Sequence, residues 1–269
     1  MLKQGVKEFL VFGLKQARAS MFAGAFLFLL IISHYWNLAF ISRPDFLFLA
    51  AVLIQLLMVA FKLETIDEAK TIALFHIIGL VLEFYKTSSL VGSWRYPELG
   101  SLHIAGVPLY SGFMYASIGS YMAQSWKVMK LKLINEPSYA VSLVLAILIY
   151  LNFFTNHFLP DFRLFLYVEV LIVFWKTKVE FQVLEGKIRR LPLTLSFVLI
   201  ACFVWIAENI GTFVNAWQYP YQISIWSAVS LHKVSSWSLL VIISFLLIAY
   251  LKHIKAGHSK ISKLISSDS

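Results

Sequence analysis

Long apolar runs recur along this chain and restrict its fold more than any other feature. They lie at about Met21–Phe40, Phe46–Leu63, Thr71–Leu90, Ala105–Gln124, Tyr139–Phe158, Phe162–Thr177, Pro192–Phe213 and Val234–Tyr250. A helix needs about 20 apolar residues to cross the hydrocarbon of a bilayer. The pattern therefore predicts an all-α polytopic membrane helix bundle of about eight transmembrane helices. The run at Phe162–Thr177 is short and carries Glu169. Composition agrees, with 59% of the 269 residues hydrophobic and 14% charged; a soluble domain has roughly 45–50% and 25%. The single cysteine, Cys202, rules out an intrachain disulfide or a cysteine metal cluster.

The net charge of +9 would point to nucleic acid in a soluble chain. Here its placement speaks instead for membrane orientation, and no nucleic-acid partner is expected. With the amino terminus cytoplasmic, the outer loops hold only Arg43, Arg95, Arg163 and Lys233 of the 23 Lys and Arg residues. Lys86 lies within a run, and all the others fall inside, as the positive-inside rule requires. Both termini are expected in the cytoplasm, in a cell inner membrane. Glu64, Asp67 and Glu68 read as solvated charges of an inner loop. Residues 1–20 interleave Lys3, Lys7, Lys15 and Arg18 with Val6, Phe9, Leu10 and Leu14, the pattern of an amphipathic helix on the cytoplasmic membrane face. Residues 253–269 read as a basic, flexible cytoplasmic tail, and the transmembrane domain as 21–252.

Within that domain the chain repeats itself. Glu83 is followed by Thr87 and then by Trp94, Tyr96 and Pro97; Glu208 is followed by Thr212 and then by Trp217, Tyr219 and Pro220. Pro44-Asp45-Phe46 opens the second run and Pro160-Asp161-Phe162 the sixth. These spacings predict two copies, at about 21–126 and 138–252, each of four spans. Four is even, so the copies face the same way, as a parallel repeat about an axis along the membrane normal. Asp45 and Asp161 are placed to cap the helices that follow them. Trp and Tyr in the outer loops suit interfacial anchors as well as a binding site. The two glutamates stand near the outer ends of apolar helices, where a carboxylate is costly unless partnered. Lys86 is spaced to pair with Glu83 on one helix face. Glu208, beside Asn209, must find its partner on another helix or a ligand. Gly112, Ala116 and Ser120 form a small-residue face for close helix packing.

The segments EFYKTSSLVGSWRYPELG, IAGVPLYSGFMYASIGSYMAQSW, NFFTNHFLPDFR and AENIGTFVNAWQYPYQ resemble the YoaT-like family of bacterial integral membrane proteins, a domain-of-unknown-function family. The resemblance runs from about Pro44 to Leu251 and implies a multi-pass inner-membrane protein. Asn156 stands where the family pattern has a second histidine before His157, which weakens a two-histidine metal site there. Over Glu208–Thr212 the chain is also similar to carotenoid hydratase-type membrane proteins.

The expected site is acid–base in character. Glu83, Glu208, Asp161 and His157 are the candidate catalytic set, gathered at the outer end with His34, Asp45, Glu98, His103 and His232. Lys86, Trp94, Tyr96, Asn209, Trp217, Tyr219, Tyr110 and Tyr115 are expected to line it. Desolvated carboxylates suit protonation of an electron-rich double bond in a lipid or isoprenoid substrate. A proton-coupled transporter or permease, with Glu169 or Glu208 as proton carrier, is the alternative. The sequence has no phosphate-binding glycine loop, nucleophile elbow or HExxH spacing. No cofactor is expected, and the partners are the bilayer and a lipid-like molecule.

Overall fold

The computed structural model describes residues 2–36 and 39–267, with side chains for 3–36 and 39–250. The described residues are mostly helical and form nine α-helices. These are α1 (Leu2–Ala19), α2 (Met21–Tyr35), α3 (Arg43–Ala60), α4 (Ile66–Thr87), α5 (Gly112–Val128), α6 (Tyr139–Thr155), α7 (Arg163–Val173), α8 (Leu193–Phe213) and α9 (His232–Ser267). Each of the eight apolar runs overlaps one of α2 to α9. By length and composition, α3, α8 and the His232–Tyr250 part of α9 are able to cross a membrane. The pair α1 and α2, bent by 71° at Ser20, would make a fourth. The 11 residues of α7 reach only about 16 Å, against a hydrocarbon core of about 30 Å. The tail beyond 253 continues as the backbone of α9, and its side chains lie outside the described residues.

Two small antiparallel sheets depart from the all-α expectation. Strands β1 (His103–Ile104) and β2 (Val107–Pro108) form a hairpin where the fourth apolar run was expected to begin. Its turn, Ala105-Gly106, has positive φ at both residues, as a two-residue hairpin loop demands. The second sheet joins β3 (Lys132–Ile134), β4 (Lys178–Gln182) and β5 (Ile188–Pro192) in that order. Its cause is legible in Lys178-Val179-Glu180-Phe181-Gln182, where polar and apolar residues alternate with the period of a strand. The amphipathic α1 lies against this sheet. Lys15 donates to the Gln182 carbonyl at 2.7 Å, Phe12 meets Phe181, and Glu8 pairs with Arg189 at 2.6 Å. Val6, Phe9, Leu10 and Leu14 remain exposed.

Helices pack most extensively as α4 with α5 and as α8 with α9. Glycines set the closeness of the first pair: a Cβ on Gly79 would stand 2.5 Å from the Tyr115 ring, and one on Gly119 2.7 Å from Phe75. Ala116 and Ser120 are fully buried on the same face of α5, as the small-residue spacing predicts. Thr65 and Glu68 form a reciprocal capping box at the start of α4. Glu64 is no solvated charge. It is buried and accepts hydrogen bonds from Gln55 at 2.5 Å and Ser120 at 2.6 Å.

Candidate functional site: two glutamates at one end of an apolar chamber

The two Trp-x-Tyr-Pro segments meet. Arg95 and Gln218 form an antiparallel bridge and exchange both backbone hydrogen bonds at 2.9 Å. Such a pair has a local two-fold axis through its centre, and it brings the ends of α4 and α8 to one place. The second segment reaches the bridge through a helix C-terminal motif in which Ala216 N–H bonds the Gly211 carbonyl at 2.9 Å, with Asn215 at φ 54°. Asparagine tolerates this left-handed conformation better than most residues. The first segment leaves α4 by a longer loop closed by Ser93 N–H on the Lys86 carbonyl.

From the bridge, the flanking aromatic residues turn back onto the glutamates. Glu83 accepts from the Tyr96 hydroxyl at 2.5 Å, the Trp94 indole at 2.8 Å and the Tyr115 hydroxyl at 2.8 Å. Glu208 accepts from the Tyr219 hydroxyl and the Trp237 indole. Both carboxylates are buried, and among the described residues neither forms an ion pair with Lys, Arg or His. Burial and the adjacent Glu83 raise the Tyr96 hydroxyl well above its ordinary pKa; burial and Glu208 do the same to Tyr219. Both phenols therefore stay protonated and act as donors. Gly79, one helical turn before Glu83, leaves room for Tyr115 to lie across α4 and reach the carboxylate.

Glu83, Glu208, Trp94, Trp217, Tyr219, Tyr115 and Trp237 line one end of a chamber of about 620 Å³. Its walls are otherwise largely apolar, from α2, α5, α8 and α9, and its far end is lined by Phe12 of α1 with Val179, Phe181 and Leu191 of the sheet. The lining along α8 runs from Leu193 to Glu208, about 22 Å.

Other expected site residues are placed elsewhere. Lys86 does not pair with Glu83. Its amine reaches His157 Nε2 at 3.0 Å and Asn156 at 3.4 Å in the loop after α6, because three neutral donors already occupy the glutamate. Asp161 is held by Arg163, whose Nε lies 2.7 Å from it. Burial works to raise the Asp161 pKa, but its bonds to Arg163 outweigh this and the net shift is downward. Asp45 does not cap its helix, since Ser42 caps α3; Asp161 does accept the backbone N–H of Arg163, the first residue of α7, at 3.0 Å. Asp45 instead clamps the backbone N–H groups of Ser101 and Leu102 at 2.8 and 2.7 Å. Tyr110 bonds the Ala216 carbonyl at 2.6 Å and so ties the two loops together. Asn209 braces the α8–α9 loop, accepting from Val229 N–H at 2.9 Å. His34, Glu98, His103, His157 and His232 are exposed. Among the described residues no group of three or more His, Cys, Asp or Glu is arranged to hold a metal ion. Trp237 and Gly79 were missed in the sequence. Trp237 carries a faint signal, since it follows Glu208 much as Tyr115 follows Glu83.

A helical protein with paired acidic residues at the end of an apolar chamber is the class that fold and site define. The chain belongs to the family described as protein of unknown function DUF817, whose profile matches residues 8–245. It is 51% identical over 252 residues to the uncharacterized protein YoaT of Bacillus subtilis (strain 168), covering 94% of each chain. No solved structure matches it.

Proposed function

We propose that this chain is a multi-pass inner-membrane protein of two parallel four-helix repeats whose chamber holds a lipid-like molecule. At the outer end of that chamber, Glu83 and Glu208 perform acid–base chemistry on it. The observation that carries this reading is that both buried carboxylates line one apolar chamber. A volume near 620 Å³ lies in the range of ligand pockets, roughly 300–1,000 Å³. The repeat is supported by the bridge at Arg95 and Gln218 and by the equivalent use of Tyr96 and Tyr219. The corresponding pairings of α4 with α5 and α8 with α9 support it further. Eight crossings are supported by the confinement of most Lys and Arg to one set of loops.

Chemically, a glutamate ringed by phenol and indole donors is hydrogen-bonded without an ion pair. When protonated it is positioned to donate to an electron-rich double bond, and the second carboxylate then stabilises the cation or activates water. A proton-coupled transporter is the second reading. Buried Glu64, toward the opposite end of α4 from Glu83, favours it. In a deletion strain, wild-type protein is expected to restore the membrane lipid profile and Glu208→Gln is not. Both readings fail if Glu83→Gln and Glu208→Gln each restore the wild-type lipid profile and leave proton-coupled uptake unchanged.

A further inference from the structure

We infer that the chamber's ligand is an amphiphile with a positively charged head, an ammonium-type group on an aliphatic chain, taken sideways from the bilayer between α2 and α8. This rests on the reading of the chamber as a lipid-binding site and names the class of its occupant.

Charge complementarity selects the head. Two carboxylates share the end of one chamber, and all their hydrogen-bond donors are neutral. The lysine best placed in sequence, Lys86, is turned away to His157. Lys233 acts on Glu208 electrostatically but forms no ion pair with it; its Nζ lies over aromatic rings, 4.5 Å from the Tyr219 ring centre and 6.0 Å from that of Trp94. An anionic head would bring like charge to acidic groups in a poorly solvated site; a cationic head complements them. The aromatic residues beside the glutamates, Trp94, Trp217, Tyr219 and Trp237, suit the same kind of head.

The walls select the tail and the route. The lining along α8, about 22 Å, matches an extended aliphatic chain better than a compact solute. Gly24 on α2 and Leu199 and Phe203 on α8 line the chamber and are also exposed on the bundle surface. The chamber therefore opens on the flank of the bundle between these helices. A Cβ at Gly24 would meet nothing within 4 Å, which leaves a gap at the α2 edge of that opening.

The test uses full-length protein in phosphatidylcholine nanodiscs, titrated below micellar concentration with dodecyltrimethylammonium, dodecyl sulfate or dodecanol. The readout is the saturable rise in melting temperature that ligand binding to the folded state produces. Dodecyltrimethylammonium is expected to give the largest rise and dodecyl sulfate none. Its apparent affinity should fall roughly ten-fold or more in the Glu83→Gln/Glu208→Gln variant. Gly24→Trp, which fills open space at the side opening and so keeps the fold, should lose the shift as well. Equal or greater stabilisation by dodecanol or dodecyl sulfate overturns the inference, as does full binding by Gly24→Trp. A saturable shift with dodecanol alone leaves the chamber reading standing. If no amphiphile gives one, both readings fall.

Discussion

The two glutamate sites use the same parts with different completeness. Glu83 has three donors, Trp94, Tyr96 and Tyr115. Glu208 has two, Tyr219 and Trp237. The tryptophan that would complete the second set, Trp217, lies instead across Gly211, where an added Cβ would stand 2.1 Å from its ring. The residue matching Gly211 in the first half is Lys86, three positions after its glutamate. A glycine in one half thus lets an indole fold down, and a lysine in the other sends its amine to the α6–α7 loop. An ionised carboxylate offers about four acceptor positions, so Glu208 keeps more capacity for a ligand or water than Glu83. The first carboxylate is the more fully satisfied of the two.

The largest effects should come from the glycines that set this difference. Gly211→Leu drives a side chain into Trp217, and Gly79→Leu drives one into Tyr115; overpacking of this kind costs about 1–3 kcal/mol or more. Thermal unfolding in nanodiscs should show both, and Trp217→Ala should recover much of the Gly211→Leu loss. An unchanged melting temperature in Gly211→Leu would mean that Trp217 does not lie on the glycine.

Glu83→Gln should destabilise more than Glu208→Gln, because three donors lose their anion instead of two. Each buried donor left unpaired costs about 1–3 kcal/mol. Activity should rank the other way, with Glu208→Gln the more damaging to lipid-profile complementation. The reverse order in both measurements would exchange the two roles.

The aspartates extend the comparison at lower cost. Asp45→Ala frees two short backbone donors in a buried clamp and should cost about 1–3 kcal/mol. Asp161→Ala removes a partly exposed pair with Arg163 and should cost less, near the 0–1 kcal/mol of surface pairs. If Asp161→Ala costs as much as Asp45→Ala, the α6–α7 loop matters more than its exposure implies.

The smallest effect is a pH dependence. The folded state lowers the Asp161 pKa, so its contribution is full above the unfolded value of about 3.9. It is lost as pH falls from there through the lowered value. Melting curves of wild type and Asp161→Asn should converge only on acidification below about pH 4. Convergence already near neutral pH would contradict the Arg163 pairing.

Much of the helical framework was legible in the sequence, because apolar runs and their polar breaks mark helices directly. The small sheets were missed, since two- to five-residue strands lie below the scale of those runs and only Lys178–Gln182 shows a strand alternation. At the site, the paired motif led to two carboxylates that the fold brings to one chamber, but to the wrong partner for Glu83. Spacing along one helix says which residues are able to meet. It does not say that Trp94, Tyr96 and Tyr115, from a loop and another helix, will occupy the carboxylate first. Glu64 was misread for a related reason: its position beside a charged turn gives no sign that Gln55 and Ser120 enclose it.

The account rests on one chamber serving both glutamates, and a cryo-electron microscopy map of the protein in lipid nanodiscs tests that most directly. An elongated density should extend from between Glu83 and Glu208 toward Phe181. A space closed by repacked side chains, or holding ordered water alone, would contradict the account.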